Sequence, residues 1–273
     1  MRAHARQQDG KLLIKDISIN AQNGTDLHIN GMGGIADVQS LLEGDLEQVE
    51  GVALQFTLDS SGSRLLSDPF SQGIPELGSV QASAEISGSL TSLVIDQIAL
   101  STGQALQSKL AVNGGSVQLS VTPDLSYQQL RLPLSVQMKD TSQLSQLIET
   151  EIANFGELQA TAILRQTKSD FSLEKLDLKL KEQNESVVVI NGKIISLETL
   201  GDLELKATVT GLNTAAILQT MRQGLGEDFD LGQLHGNFSL NHNRGIWHLQ
   251  KLKLENRNSD QLSFLLAGSA KGN

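Results

Sequence analysis

Two short segments carry residues whose types and spacing fit a chemical site. Gly31-Met32-Gly33-Gly34-Ile35-Ala36 matches the G-x-G-x-x-A pattern of dinucleotide-binding proteins, with Glu50 about 20 residues further on. The strand predicted before this pattern alternates apolar and polar residues, which is untypical of a buried parallel strand. Gly114 and Gly192 occupy the same step of a repeat without the full pattern, so we interpret the segment as a repeat turn.

Three histidines, His235, His242 and His248, lie close together in the sequence, and imidazole is a common zinc ligand. No cysteine and no H-E-x-x-H pattern accompany them, and His242 falls in a predicted turn. We therefore predict scattered histidines on a polar face, with no metal site and no cofactor. The sequence contains neither a G-x-S-x-G elbow nor a P-loop, so we predict that the protein is not an enzyme.

The composition narrows the classes of partner. The 273 residues include 21 Lys+Arg and 31 Asp+Glu, which gives a net charge of −10. A chain without a basic patch is a poor nucleic-acid binder and a poor ligand for an anionic membrane surface. No segment has the length of a membrane-spanning helix or the pattern of a signal peptide. We expect the chain to be a fragment of a longer protein.

A repeat of about 77 residues organises the chain. Similar segments begin at Leu77 (LGSVQASAEI), Phe155 (FGELQATAIL) and Leu231 (LGQLHGNFSL). A second set, IDQIAL, LEKLDL and LQKLKL, follows at the same spacing, and IKDISI is its counterpart near the start. The third set is a strand predicted to end at a glycine. We predict a partial unit over 1–76, full units over 77–154 and 155–230, and a truncated unit over 231–273.

Each unit is predicted to contain about four strands and one short helix. Apolar residues alternate with polar ones in segments such as 203–209, which is the period of a half-buried strand. In FSLEKLDLKL the parity shifts between Leu173 and Leu176, which predicts a bulge near Glu174–Lys175. The segments 140–152 and 212–226 have helical apolar spacing, and Asp140 or Thr141 is a suitable N-cap for the first.

About 13 or 14 antiparallel strands with one apolar face must cover that face. One solution is a sandwich of two sheets around a dry core. The other is an elongated sheet curled into a hydrophobic trough, with amphipathic helices between units, and the repeat favours it. Only one Trp, one Tyr and seven Phe are present, so the inner wall is predicted to be aliphatic. The predicted fold class is therefore mainly β, as such a trough.

The pattern of a glycine-ended strand, an alternating pair of strands, a helix with spaced leucines and a glycine step into the next strand resembles the AsmA family. The steps are IPELGSV from Ile74, NFGEL from Asn154 and DLGQL from Asp230. The resemblance implies a bridge-like lipid transfer protein of the bacterial periplasm, anchored in the inner membrane, that moves phospholipid towards the outer membrane. The N-terminal membrane helix typical of the family is missing from this sequence.

We therefore predict a lipid-transfer module that holds phospholipid acyl chains in an apolar groove. It supports outer-membrane biogenesis and has other envelope proteins as possible partners. The alternative is a scaffold module of the cell envelope that binds no lipid. The predicted groove residues are Leu119, Val121, Leu132, Leu134, Val136, Leu176, Leu178, Leu203, Leu205, Val209, Leu252 and Leu254.

Overall fold

The structure of the protein is a computed structural model. It describes residues 2–8, 11–22, 26–45, 48–61, 78–89, 91–103, 108–120, 126–144, 154–166, 170–182, 185–197, 202–213, 232–243, 245–257 and 265–272. The described part of the chain is mainly β-strand, as the alternating sequence pattern predicts.

Fifteen strands follow one another along the chain. They are β1 (Arg2–Gln8), β2 (Lys11–Gln22), β3 (Asp26–Ile35), β4 (Val52–Ser60), β5 (Val80–Ser89), β6 (Ser92–Thr102), β7 (Ser108–Ser120), β8 (Ser126–Met138), β9 (Glu157–Gln166), β10 (Phe171–Glu182), β11 (Glu185–Ile194), β12 (Leu203–Asn213), β13 (Gln233–Asn243), β14 (Ile246–Arg257) and β15 (Leu265–Gly272).

The strands form one antiparallel sheet in which spatial order equals chain order, from β1 to β15. Each strand therefore pairs with its neighbours in sequence, and the described strands do not form the two sheets of a sandwich. The chain divides into two compact units, Met1–Leu134 and Ser135–Asn273, and the division falls inside β8.

A β-bulge recurs at the same step of the repeat. The pairing register shifts between Ile14 and Ile17 in β2, and at the equivalent places in β6, β10 and β14, about every 77 residues. The bulge predicted near Glu174–Lys175 is confirmed, because Lys175 lies in β10 with a φ of 51°. Gln97 and Lys251 hold the same conformation in β6 and β14. The sequence repeat is thus a repeat of backbone geometry.

The glycines predicted to end strands lie inside them, so that prediction is wrong. Gly31, Gly192 and Gly268 are interior residues of β3, β11 and β15, and each pairs with the residue that follows a bulge. In β7 that position belongs to Gly115, which pairs with Ile98. A bulge brings one strand close to the next, and glycine is the residue that permits such an approach. A glycine in this sequence pattern therefore marks the partner of a bulge rather than a turn.

Short helical segments connect some of the strands in the described residues. Helix α1 (Val38–Glu43) begins after Asp37, whose carboxylate accepts a hydrogen bond from the Ser40 amide at 3.1 Å. A single 3-10 turn covers Thr141–Leu144, and the Asp140 carboxylate accepts the Ser142 amide at 2.8 Å. The rest of the helix predicted over 140–152, and most of the one predicted over 212–226, lie outside the described residues.

Candidate functional site

The register places the apolar residues of the second unit on one face of the sheet. Directly paired residues of antiparallel strands point to the same side, and the bulges keep this parity across the repeat. Each strand from β9 to β15 contributes residues to this face, which we call the apolar face. Its largest members are Leu158, Leu164, Leu173, Leu176, Leu178, Leu180, Val188, Ile190, Ile194, Leu203, Leu205, Val209, Leu234, Phe238, Leu240, Trp247, Leu249, Leu252, Leu254 and Leu266.

The first unit has an apolar face of the same kind. Pairing from β3 to β7 aligns alternate residues of each strand on one side of the sheet. At one end of this face, Val49 is fully buried beside Val52 and Leu93. The face contains Ile29, Ile35, Val52, Leu54, Phe56, Leu58, Val80, Ala82, Ala84, Ile86, Leu93, Ile95, Ile98, Leu100, Val112, Val117 and Leu119.

Seven predicted groove residues share the apolar face of the second unit. Two of them, Leu203 and Val209, are buried, and the others are half-buried. The seven are Leu176, Leu178, Leu203, Leu205, Val209, Leu252 and Leu254.

The other five predicted groove residues lie around β7 and β8. Leu119 belongs to the apolar face of the first unit, where it pairs with Leu93. Leu132, Leu134 and Val136 alternate along β8, and all three are half-buried. Val121 lies outside the described residues.

Much of the apolar face is only half-buried in the described residues. The fifteen strands belong to one sheet, and each packs chiefly against its neighbours in that sheet. Along β12, Leu203, Ala207 and Val209 are buried, whereas Leu205 remains half-buried. In the core of a two-sheet sandwich, residues of both inner faces interdigitate and lose almost all contact with solvent. Much of this face retains accessible aliphatic surface instead.

The opposite face carries charged and amide side chains. Ion pairs join Arg165 to Glu174 at 3.0 Å and Lys193 to Glu204 at 3.2 Å. On the same face Asp177 pairs with Lys179 at 3.0 Å. These side chains are partly exposed, so the pairs add little stability individually. They make this face of the sheet compatible with water.

Hydrogen bonds on the polar face perturb the titration of two carboxyl groups. The amides of Gln137 and Gln159 donate to Glu157, at 2.9 Å and 2.7 Å, and hold the pKa of its carboxyl below the usual value. The guanidinium of Arg257 hydrogen-bonds to Glu255 and lowers the pKa of that carboxyl. Both carboxyl groups are therefore stabilised in the charged form, as expected for a solvated surface.

The three histidines do not converge. His242 pairs with Trp247 across β13 and β14 on the apolar face, and their rings lie 4.4 Å apart. The register places His235 and His248 on the opposite face. Within the described residues no three His, Cys, Asp or Glu side chains lie close enough together to hold a metal ion. The prediction of a polar-face position is therefore wrong for His242.

The glycine-rich segment Gly31–Ala36 has no dinucleotide-binding geometry. Residues 31–35 lie within β3, which pairs antiparallel with both β2 and β4 rather than leading into a helix through a phosphate-binding loop. A shallow depression of about 500 Å³ borders Met32 on the polar face. Its lining includes Glu85 and Asp96, whose negative charges repel a pyrophosphate. The interpretation of this segment as a turn is wrong as well.

Several apolar-face residues were missed by the sequence analysis. Phe238 lies on the apolar face, as does Trp247, which is 38% exposed, and Phe56 lies on the corresponding face of the first unit. The alternation in VALQFTLDS could have identified Phe56, because apolar residues occupy every second position there. Trp247 offers a weaker signal, since it is only the second residue of β14.

Comparison with known proteins gave no match to a family model, to a curated protein or to a solved structure. In the described residues, no helix combines the length and apolarity needed to cross a membrane.

Proposed function

We propose that this protein binds the acyl chains of phospholipids on its apolar face and passes them along the sheet. In this proposal the sheet curls into a hydrophobic trough, and amphipathic helices between the units line its rim. The protein works in the periplasm as part of an inner-membrane-anchored, AsmA-like protein. It supports biogenesis of the outer membrane together with other envelope proteins.

The observation that carries the proposal is the accessible aliphatic face of a single sheet. An exposed apolar surface that continues over many strands is unfavourable in water and is typical of a binding surface. Acyl chains gain about 0.8 kcal/mol for each CH₂ group that they bury against such a surface. Because that free energy is spread over many contacts, the wall needs no single essential residue.

The chemistry of the two faces favours a lipid over other apolar ligands. The apolar face is built mainly from Leu, Val, Ile and Ala, which offer a smooth surface to a flexible hydrocarbon chain. It presents few polar groups that would orient a rigid ligand by directed hydrogen bonds. A headgroup can remain in water while the tail lies on the sheet, so the proposed ligand is a phospholipid held nonspecifically.

Native mass spectrometry with lipid extraction tests the proposal. We expect phospholipid to copurify with the chain from bacterial cells and to be lost in Leu205→Asp, which places a carboxylate on the half-buried centre of the apolar face. Thr208→Asp is the matched control, because it adds the same charge to the same strand on the exposed polar face. A stable, lipid-free wild-type chain would contradict the proposal and favour the scaffold module.

A transfer assay between vesicles separates movement from binding. Leu205→Asp should block lipid transfer much more strongly than Leu205→Ala, because alanine shortens the apolar wall without charging it. Equal transfer by the two variants would contradict a conduit.

A further inference from the structure

A depression of about 600 Å³, which we call the basic depression, lies on the polar face of the second unit. It extends from the bulge of β10 across β11 and β12 to Asn241 in β13. Three of the side chains that line it are lysines, Lys175, Lys193 and Lys206. These residues lie on three different strands, so the pairing of the strands brings their positive charges together.

The register of the strands explains how the lysines converge. Lys206 pairs with Asn191, and Lys193 pairs with Glu204. Directly paired residues point to the same side of a sheet, and diagonal neighbours such as Lys193 and Lys206 are about 7–8 Å apart. Lys175 lines the same depression from the bulge of β10, since a bulge changes the direction of the side chains in its strand.

The carboxylates that line the basic depression are already paired. Glu204 and Glu174 each take part in one of the ion pairs described above. Among the described residues, no ion pair or hydrogen bond engages the ammonium groups of Lys175 and Lys206. The depression therefore holds two positive charges without a counter-charge, although the chain as a whole has a net charge of −10.

The repeat shows that the fold does not require these lysines. The same strand pairing occurs around Gly31 in the first unit, where Met32 and Thr57 occupy the positions of Lys193 and Lys206. The depression beside Met32 is lined by two carboxylates and by no lysine or arginine. Equivalent places in the two units thus have opposite charge, which indicates a separate role for the one in the second unit.

We propose that the basic depression binds a phosphate group. Lysine ammonium groups bind phosphate as point charges, and the side-chain amides of Asn191 and Asn241 supply further hydrogen-bond donors in the same lining. A bound phosphate neutralises Lys175 and Lys206. Soluble phosphate esters and phospholipid headgroups both present this group. The site lies on the opposite side of the sheet from the apolar face, so it is separate from the proposed acyl-chain site.

An NMR titration of the isotope-labelled chain with inorganic phosphate, at constant ionic strength, tests the proposal. We expect saturable shifts of backbone amides in β10 to β12 around the basic depression. The affinity should fall by about fivefold or more in Lys206→Gln, because one of the unpaired positive charges is removed. It should rise in Glu204→Gln, because this change removes a negative charge and frees Lys193 from its ion pair.

Lys179→Gln is the matched control variant. It removes the same charge from the polar face of β10, but Lys179 does not line the basic depression, so the affinity for phosphate should stay unchanged. Circular dichroism melting should show that the three variants fold as the wild type does. An absence of saturable phosphate binding, unchanged binding by Lys206→Gln, or equal losses in Lys206→Gln and Lys179→Gln would overturn the proposal.

Vesicles of phosphatidylcholine with and without phosphatidic acid identify the source of the phosphate group. Cosedimentation that requires phosphatidic acid, and that is lost in Lys206→Gln but kept in Lys179→Gln, assigns the site to a lipid headgroup. Saturable binding of inorganic phosphate without such cosedimentation assigns it to a soluble phosphate ester. Both results support a phosphate site in the basic depression.

Discussion

From Leu203 to Thr210, the two faces of β12 differ in residue type and in burial. On one side Leu203, Ala207 and Val209 are buried and Leu205 is half-buried. On the other side all four residues, Glu204, Lys206, Thr208 and Thr210, are exposed. A strand of eleven residues therefore separates water from an apolar surface by side-chain alternation alone.

This difference shows what the repeat preserves. A bulge adds a residue and would reverse the alternation, but in β10 the two residues between Leu173 and Leu176 restore it. The same correction occurs in β6 and β14, so apolar residues stay on one side across successive strands. The continuous apolar face, rather than any individual side chain, is the property that the repeat maintains.

A charge on the most buried part of the apolar face should lower the free energy of unfolding more than any other substitution considered for the two faces. Ala207 is 4% exposed, so Ala207→Asp places an unpaired carboxylate away from water and should cost about 3 kcal/mol or more of unfolding free energy. Thr208→Asp, one residue further on the exposed face, should change it by less than about 0.5 kcal/mol. Urea denaturation of both variants measures the contrast, and equal losses would contradict the assignment of the faces.

The glycines opposite the bulges allow a second comparison, between a glycine that is covered by the next strand and one that is not. Gly192→Val should destabilise the fold by about 2 kcal/mol or more, because the new side chain overlaps the backbone of β12. Gly268→Val should leave the thermal midpoint unchanged, since its surroundings are open. Thermal melts of the two variants give the answer directly. A similar loss in both would show that glycine is needed for its own backbone conformation rather than for close approach.

Removal of aliphatic surface should have a moderate effect. Leu205→Ala should lower the unfolding free energy by about 1–2 kcal/mol, less than for a fully buried leucine, because Leu205 is half-buried. Glu204→Ala removes a neighbouring side chain whose ion pair with Lys193 is exposed, and it should cost less than about 0.5 kcal/mol. Denaturant titration compares them, and a larger loss for Glu204→Ala would contradict the account.

The bulge residue Lys175 provides a test in which a substitution is not expected to destabilise the fold. Lys175 has a φ of 51°, a conformation that costs an ordinary residue about 1 kcal/mol, so Lys175→Gly should be neutral or slightly stabilising. Lys179→Gly, in the same strand but away from the bulge, should destabilise by about 0.5–1 kcal/mol. Calorimetric melting midpoints that fall equally for both variants would show that the bulge imposes no strain on Lys175.

The smallest expected effect is a pH dependence on the polar face. The pKa of Glu157 is lowered in the folded state by hydrogen bonds from Gln137 and Gln159, so its contribution to stability is present above the unfolded pKa of about 4.3. This contribution is lost as the pH falls through the lower folded pKa. Glu157→Gln should therefore show a slightly weaker loss of stability on acidification than the wild type. Identical acid titrations would contradict this role of the hydrogen bonds.

The sequence predicted the strands and one bulge correctly because both depend on local alternation. The parity shift in FSLEKLDLKL identified the bulge near Lys175, and seven groove residues from Leu176 to Leu254 share one face. The prediction that strands end at these glycines was wrong because a glycine in a turn and a glycine opposite a bulge give the same local sequence pattern. Only pairing with a distant strand, such as Gly192 with Leu176, distinguishes the two. The position of His242 likewise depends on its partner Trp247.

Site-specific photocrosslinking in bacterial cells tests the central claim most directly. A benzophenone amino acid placed at Leu205 reports what contacts the apolar face, and one placed at Thr208 reports on the polar face of the same strand. The account predicts phospholipid adducts at position 205 and none at position 208. Protein adducts alone at position 205, or equal lipid labelling at both positions, would contradict an apolar face that holds acyl chains.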